Sequence, residues 1–211
     1  MTVRIEVDAL APDAASVEAA AAIVRGGGVV AFPTETLYGL AADATRETAV
    51  ARVFEIKGRA PDVAIPVIAA DRAQVEQWVG TLTPAGRVLA DAFWPGPLAL
   101  VIAASPGLPR ALLGGGDTVA VRVSSHPVAR ALARAVGRPI TATSANRSGH
   151  EPTPLPSVVL QEMGPDVDAV LDGGVCAGGA PSTIVDVTGR APRLVRAGAV
   201  PWDRVLHSLQ E

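Results

Sequence analysis

Five short apolar runs limit what this chain can fold into: "VVAF" (29–32), "IPVIAA" (65–70), "PLALVIAA" (97–104), "TVAVRV" (118–123) and "STIVDV" (182–187). Each has the length and the β-branched, aliphatic chemistry of a buried or half-buried strand. Helical patterns fill the gaps. "DAASVEAAAAIVRGGG" predicts a helix with Asp13 as N-cap and a stop at Gly26, Gly27 and Gly28. "RETAVARVFEIKG" gathers Val50, Val53, Phe54 and Ile56 on one side, so Lys57 and Arg59 are expected on a loop at or beyond its C-terminus. "DRAQVEQWV", "HPVARALARAVG" and "LPSVVLQEMG" read as helices, and "PWDRVLHSLQE" as a short C-terminal one. This alternation predicts an α/β domain with a mixed sheet and flanking helices, not a bundle or a sandwich.

With 211 residues, 49% of them hydrophobic, and no repeat or linker, a single domain over 1–211 is expected. The lone Cys176 cannot form an internal disulfide and reads as a small, buried, inert thiol. No stretch resembles a signal peptide or a bilayer-spanning run, so a soluble, cytoplasmic protein without membrane contact is expected. A net charge of −3 argues against broad attraction to nucleic acid and makes any anion site local.

Polar clusters follow the apolar runs. After "VVAFP", Thr34, Glu35, Thr36 and Tyr38 enter an irregular turn ending at Gly39. Such a loop either presents ligand groups or satisfies its own backbone. "KGR" sets an ammonium beside a guanidinium, suited to phosphate and equally to a helix C-terminus. In "TVAVRVS", Thr118, Ala120, Arg122 and Ser124 share one face and the valines the other. Arg122 then needs a buried carboxylate or an anionic ligand. "TSANRSG" offers Thr143, Ser144, Asn146 and Ser148 without the glycines and lysine of a Walker A loop. Ser182, Thr183 and Arg196 close two further strands, and convergence of all these groups on one concave face is the economical reading. His126, His150 and His207 lack metal-ligand spacing, and no Ser/His/Asp triad can be assigned.

At "FPTETLYGLAADA", "FEIKGR", "FWPGPLALVI", "VAVRVSSHP", "TSANRSG", "PSTIVDVTG" and "RLVRAGAV", in that order, the chain resembles the threonylcarbamoyl-AMP synthases, the YrdC-like family. The resemblance implies a twisted, open sheet around a concave basic cavity, in a short, single-domain form. It implies condensation of L-threonine, bicarbonate and ATP to threonylcarbamoyl-AMP and pyrophosphate, for t6A modification of tRNA by a separate transferase complex. Carried over by motif, Lys57 and Arg59 are the catalytic cations on the triphosphate. Thr118, Ser144, Asn146 and Arg196 line the nucleotide site. Thr34 or Thr36, Arg122 and Ser182 surround threonine or its carbamoyl group. Mg2+ is expected to arrive with ATP, with no dedicated metal site.

The chain departs from the family pattern at Ala60, where proline is usual, and at Ile65 and Ala70, where Asn and His are expected. Ser124 also replaces the usual proline after "VRV". Two other readings accommodate these departures. One is a YrdC-like relative that binds RNA or the ribosome without this activity; net acidity and a single tyrosine count against an extended stacking surface. The other is the carbamoyl-adenylate module of hydrogenase-maturation proteins, whose acylphosphatase and zinc-finger segments are not seen here.

Overall fold

In the computed structural model, which describes residues 2–60 and 62–210, every apolar run becomes a strand. The chain begins with β1 (Val3–Glu6), α1 (Ala14–Arg25), β2 (Val30–Pro33), β3 (Tyr38–Ala41), α2 (Glu47–Lys57) and β4 (Val67–Ala69). Next come α3 (Arg72–Gln74), which runs on into a wider π turn at Val75–Val79, then α4 (Pro84–Phe93), β5 (Leu98–Ala103), β6 (Thr118–Val123) and α5 (Pro127–Val136). The last third holds β7 (Ile140–Thr141), β8 (Thr143–Ser144), α6 (Pro156–Met163), β9 (Ala169–Asp172), β10 (Thr183–Asp186), β11 (Arg193–Arg196) and α7 (Trp202–His207). Glu211 of the expected C-terminal helix lies outside the described residues.

Local chemistry accounts for the helix ends. The Asp13 carboxylate accepts the Ser16 N–H at 2.8 Å and caps α1. Gly58 ends α2 at φ 64°, a left-handed conformation that glycine adopts without a Cβ clash. Along α5, Val128, Ala129, Leu132, Ala133 and Val136 are buried at helical spacing. They pack with Ala20, Ala21 and Val24 of α1 against Phe32 and Ile68, forming a layer on one side of the strands. A larger core, built from α2, α4 and the opposite faces of the strands, fills the other side.

The mixed α/β class is as expected, and the strands divide into two hydrogen-bonded sheets. One has the order β1-β9-β2-β3-β8 and the other β11-β10-β5-β6-β4-β7. Residues 140–144 stitch them together. β7 pairs with β4, Ala142 N–H donates to Pro66 O at 2.8 Å, and β8 pairs with β3. The Thr141 hydroxyl donates to Leu40 O at 2.7 Å and accepts the Ala42 N–H at 2.9 Å. The segment thus changes sheets within five residues, and a crevice opens beside it.

Two readings of the sequence need correction. Tyr38 does not belong to an irregular turn: it opens β3, paired with Pro33 across a tight hairpin. Its buried ring sends the hydroxyl to Gly174 O at 2.8 Å, and burial raises that phenol above its ordinary value. Lys57 is not on a loop either. It is the last residue of α2 and is 3% exposed, because the helix runs one residue further than its apolar pattern. Strands β1, β3 and β9 and helix α4 were not anticipated.

Candidate active site

A cavity of about 500 Å3 lies in the crevice between the sheets, within the range typical of small-molecule sites. Its walls come from several strand ends and from the end of one helix. Thr34 and Thr36 enter from the β2–β3 hairpin, Arg59 from just beyond α2, Arg122 from β6, and Ser144 from β8. Ser182 precedes β10, and Arg196 closes β11. Leu37, Val63, Ala99 and Ile184 supply apolar surface between these groups. Seven of the ten expected site residues therefore border one volume, and Lys57, Asn146 and Thr118 do not.

Thr118 is kept away by register. It pairs with Ala103 at the start of β6, four residues from Arg122, or roughly 13 Å along a strand. Lys57 and Asn146 sit behind the wall. The Lys57 ammonium donates to Ser144 O at 2.7 Å, Asn146 O at 2.8 Å and Asn146 Oδ1 at 3.4 Å. Asn146 Nδ2 donates to His150 O at 2.6 Å and Arg147 O at 3.0 Å. The Ser144 hydroxyl reaches Asn146 Oδ1. The small polar groups of "TSAN" thus organise a loop around a buried cation. Desolvation, with help from neighbouring Arg59, lowers the Lys57 ammonium to about 8.

Arg59 differs. Its guanidinium carbon lies 5.4 Å from the Phe54 ring centroid, and its buried Nε has no hydrogen-bond partner among the described residues. Burial lowers its pKa, with Asp62 opposing the shift. A buried N–H without a partner is costly unless something supplies one. Arg196 is held by Ser182: Nη2 donates to Ser182 O at 2.8 Å and to its hydroxyl at 3.1 Å.

Arg122 is 7% exposed and pairs with Glu35, whose carboxylate also accepts the Ser124 hydroxyl. Burial lowers the arginine's pKa and Glu35 opposes that shift. Of the two partners open to Arg122 in the sequence, an internal carboxylate is therefore present, while the side chain still borders the cavity. Glu35 was passed over as a site residue. The sequence signals that a strand arginine needs a counter-charge, but nothing in it singles out the acid of "PTET", 87 residues away. Within the hairpin the Thr34 hydroxyl donates to Leu37 O at 2.7 Å, so it satisfies its own turn. Among the described residues the Thr36 hydroxyl meets only that of Thr34, at 3.2 Å.

Among the described residues no group of three or more His, Cys, Asp or Glu side chains can hold a metal. The cavity's donor set is hydroxyls and guanidiniums, and the nearby Glu35 is already bonded to Arg122 and Ser124. That chemistry fits a cation carried in on phosphate oxygens and water. No helix among the described residues is long and apolar enough to cross a membrane.

Residues 22–198 match the Sua5/YciO/YrdC family model, whose description is "Telomere recombination". The chain is 42% identical over 187 residues to a threonylcarbamoyl-AMP synthase of Pyrococcus abyssi, covering 88% of this chain and 55% of that protein. It is 39% identical over 170 residues to a threonylcarbamoyl-AMP synthase of Nitrosococcus oceani, covering 81% of this chain and 92% of that one. The crystal structure of Pyrococcus abyssi Sua5 complexed with L-threonine matches with a TM-score of 0.93 and 38% identity, over 98% of this chain and 61% of that one. The chain therefore spans little more than half of the Pyrococcus protein and nearly all of the Nitrosococcus one. With its strand-end cavity, ordered motifs and these likenesses, the chain belongs to the Sua5/YciO/YrdC family.

Proposed function

We propose that this chain is a threonylcarbamoyl-AMP synthase that condenses L-threonine, bicarbonate and ATP. The observation that carries the reading is the meeting of Arg59, Arg122 and Arg196 with Thr36, Ser144 and Ser182 around one cavity. The curated relatives named as synthases support it, and they leave the RNA-binding alternative without support of its own. The threonine amine and bicarbonate form a carbamate and water. A carbamate oxygen then bonds to the α-phosphorus of ATP, the bond from that phosphorus to the bridging oxygen breaks, and pyrophosphate leaves. No side-chain nucleophile is required, since positioning and neutralisation of phosphoryl charge carry such a step.

Arg59, whose buried Nε has no hydrogen-bond partner among the described residues, binds the triphosphate. Ser144 and Arg196 take the adenylate side, and Lys57 and Asn146 act by holding the Ser144 loop in place. Arg122 grips the threonine carboxylate, with Ser182 beside it and Thr36 offering the less committed of the two hairpin hydroxyls. When present with ATP, Mg2+ would add to the neutralisation of triphosphate charge that Arg59 supplies. The product feeds a cytoplasmic transferase complex that modifies tRNA.

The deciding assay is pyrophosphate release by purified protein with ATP, L-threonine and bicarbonate, each omitted in turn. Release that depends on all three is expected. No release with all three present, or release indifferent to threonine, rules the reading out; salt-sensitive RNA binding without turnover supports the alternative.

A further inference from the structure

Ser124 stands where the family resemblance leads one to expect proline, is fully buried, and has a hydroxyl doing what no proline can. It donates to Glu35 Oε2, while the other oxygen of the same carboxylate, Oε1, accepts from Arg122 Nη1. The hydroxyl is aimed from behind. The His126 N–H donates to Ser124 Oγ at 3.1 Å, which leaves the serine's own proton for Glu35. Arg130 Nη1 donates to Ser124 O at 2.7 Å and pins the residue just ahead of α5.

A carboxylate and a guanidinium free to choose often close into a fork of two parallel hydrogen bonds. Here the pair is single-pronged. Ser124 occupies the second carboxylate oxygen, and among the described residues the Arg122 guanidinium makes no hydrogen bond except to Glu35. The rest of the guanidinium is left to the cavity that Arg122 borders.

We propose that Ser124 is a positioning residue: by drawing one oxygen of Glu35 away from Arg122, it keeps an edge of the guanidinium open for the carboxylate of the amino-acid substrate. The proposal rests on the reading of Arg122 as the threonine-carboxylate contact. Without the hydroxyl, Glu35 is free to close on Arg122 with both oxygens and compete with the incoming carboxylate. The consequence is selective, because nothing in this chain of contacts touches Arg59 or Ser144.

Calorimetric titration of L-threonine and of ATP, with turnover and melting temperature, on wild type, Ser124→Ala and Ser124→Thr tests this. Ser124→Ala is expected to raise the threonine Kd and KM about tenfold, the size of one lost interaction. ATP affinity and kcat at saturating threonine should stay within about twofold of wild type. Ser124→Thr, which keeps the hydroxyl, should restore threonine binding, and Glu35→Gln added to Ser124→Ala should recover part of it by weakening the competitor. Should Ser124→Ala not fold, Ser124→Cys supplies the same comparison with a much weaker donor. A lowered melting temperature with unchanged threonine Kd overturns the proposal, as does equal loss of both ligands or a threonine variant that behaves like alanine. Wild type that binds no threonine overturns the substrate reading and this proposal together; wild type that binds it as tightly as Ser124→Ala overturns this proposal alone.

Discussion

Lys57 and Arg59 are separated by one glycine and face opposite duties. The ammonium of Lys57 is turned inward, with its donors on the backbone and side chain of the 144–146 loop. The guanidinium of Arg59 lies over Phe54 at the cavity wall, with its buried Nε unmatched among the described residues. Gly58, in the left-handed region at φ 64°, turns the chain between them. The difference teaches that a desolvated cation can serve a binding site in two ways. One is satisfied by the protein and fixes the geometry of a loop; the other is left, among the described residues, with an unmatched N–H that the proposed triphosphate contact would fill.

The contrast can be broken most directly at Lys57. Lys57→Met takes the ammonium away from three oxygen acceptors, but Ser144 O keeps the Asn146 N–H at 3.0 Å and Asn146 Oδ1 keeps the Ser144 hydroxyl, so among the described residues only Asn146 O is left unpaired, at a cost of about 1–3 kcal/mol. A loss of about 1–3 kcal/mol in urea unfolding is expected, with nucleotide binding lost alongside. Wild-type stability in this variant would show that the loop does not depend on the ammonium. Arg59→Ala is expected to behave the other way. Nucleotide affinity should fall by about 1.5–3 kcal/mol, or roughly 10- to 150-fold, while stability changes by less than about 1 kcal/mol. Calorimetry and denaturation on the same two proteins separate the roles, and matching profiles would erase the distinction.

Smaller effects sharpen the comparison. Gly58→Ala meets no neighbour within 4 Å, so its cost is the left-handed backbone alone, about 1–2 kcal/mol. If the turn aims Arg59, this variant should also weaken nucleotide binding, measurable in the same titration; a pure stability loss would confine the glycine to helix termination. The smallest expected effect is on pH dependence. Lys57 has a folded-state pKa of about 8 against the ordinary 10.5, so between these values the unfolded chain holds a proton that the folded chain has released. Stability from this group therefore rises with pH across that window, by at most about 1.4 kcal/mol per pH unit. Urea unfolding at pH 7.5 and 9 should show wild type gaining on Lys57→Met. Parallel slopes would mean that the ammonium is not desolvated.

Much of the fold was legible along the chain. The strands β2, β4, β5, β6 and β10 follow the β-branched runs, and Asp13 caps α1 as its spacing predicts. These features depend on alternation or on bonds that span one helical turn, so neighbouring residues are enough to decide them. β1 and β9 were not read from the sequence, although they pair with each other in parallel at one side of the first sheet. A four-residue strand such as β1, largely exposed in the sequence Val-Arg-Ile-Glu, carries little periodic signal of its own.

The convergence of polar strand ends was also legible, since apolar runs that stop at hydroxyls and cations leave those groups at the rim of a sheet. Which of them meet was not. Lys57 and its acceptor Ser144 are 87 residues apart, as are Arg122 and Glu35. The first pairing exists because residues 140–144 cross from one sheet to the other and carry the loop onto the end of α2, and the second because the β2–β3 hairpin of one sheet meets β6 of the other. By itself the sequence determined the elements, their caps and the kinds of chemistry at their ends, all set by short-range geometry. Only the tertiary structure decided that Thr118 lies away from the cavity, that Lys57 serves the loop and that Glu35 answers Arg122. Those outcomes depend on strand register and sheet crossing, where the burial of a distant partner outweighs any local preference.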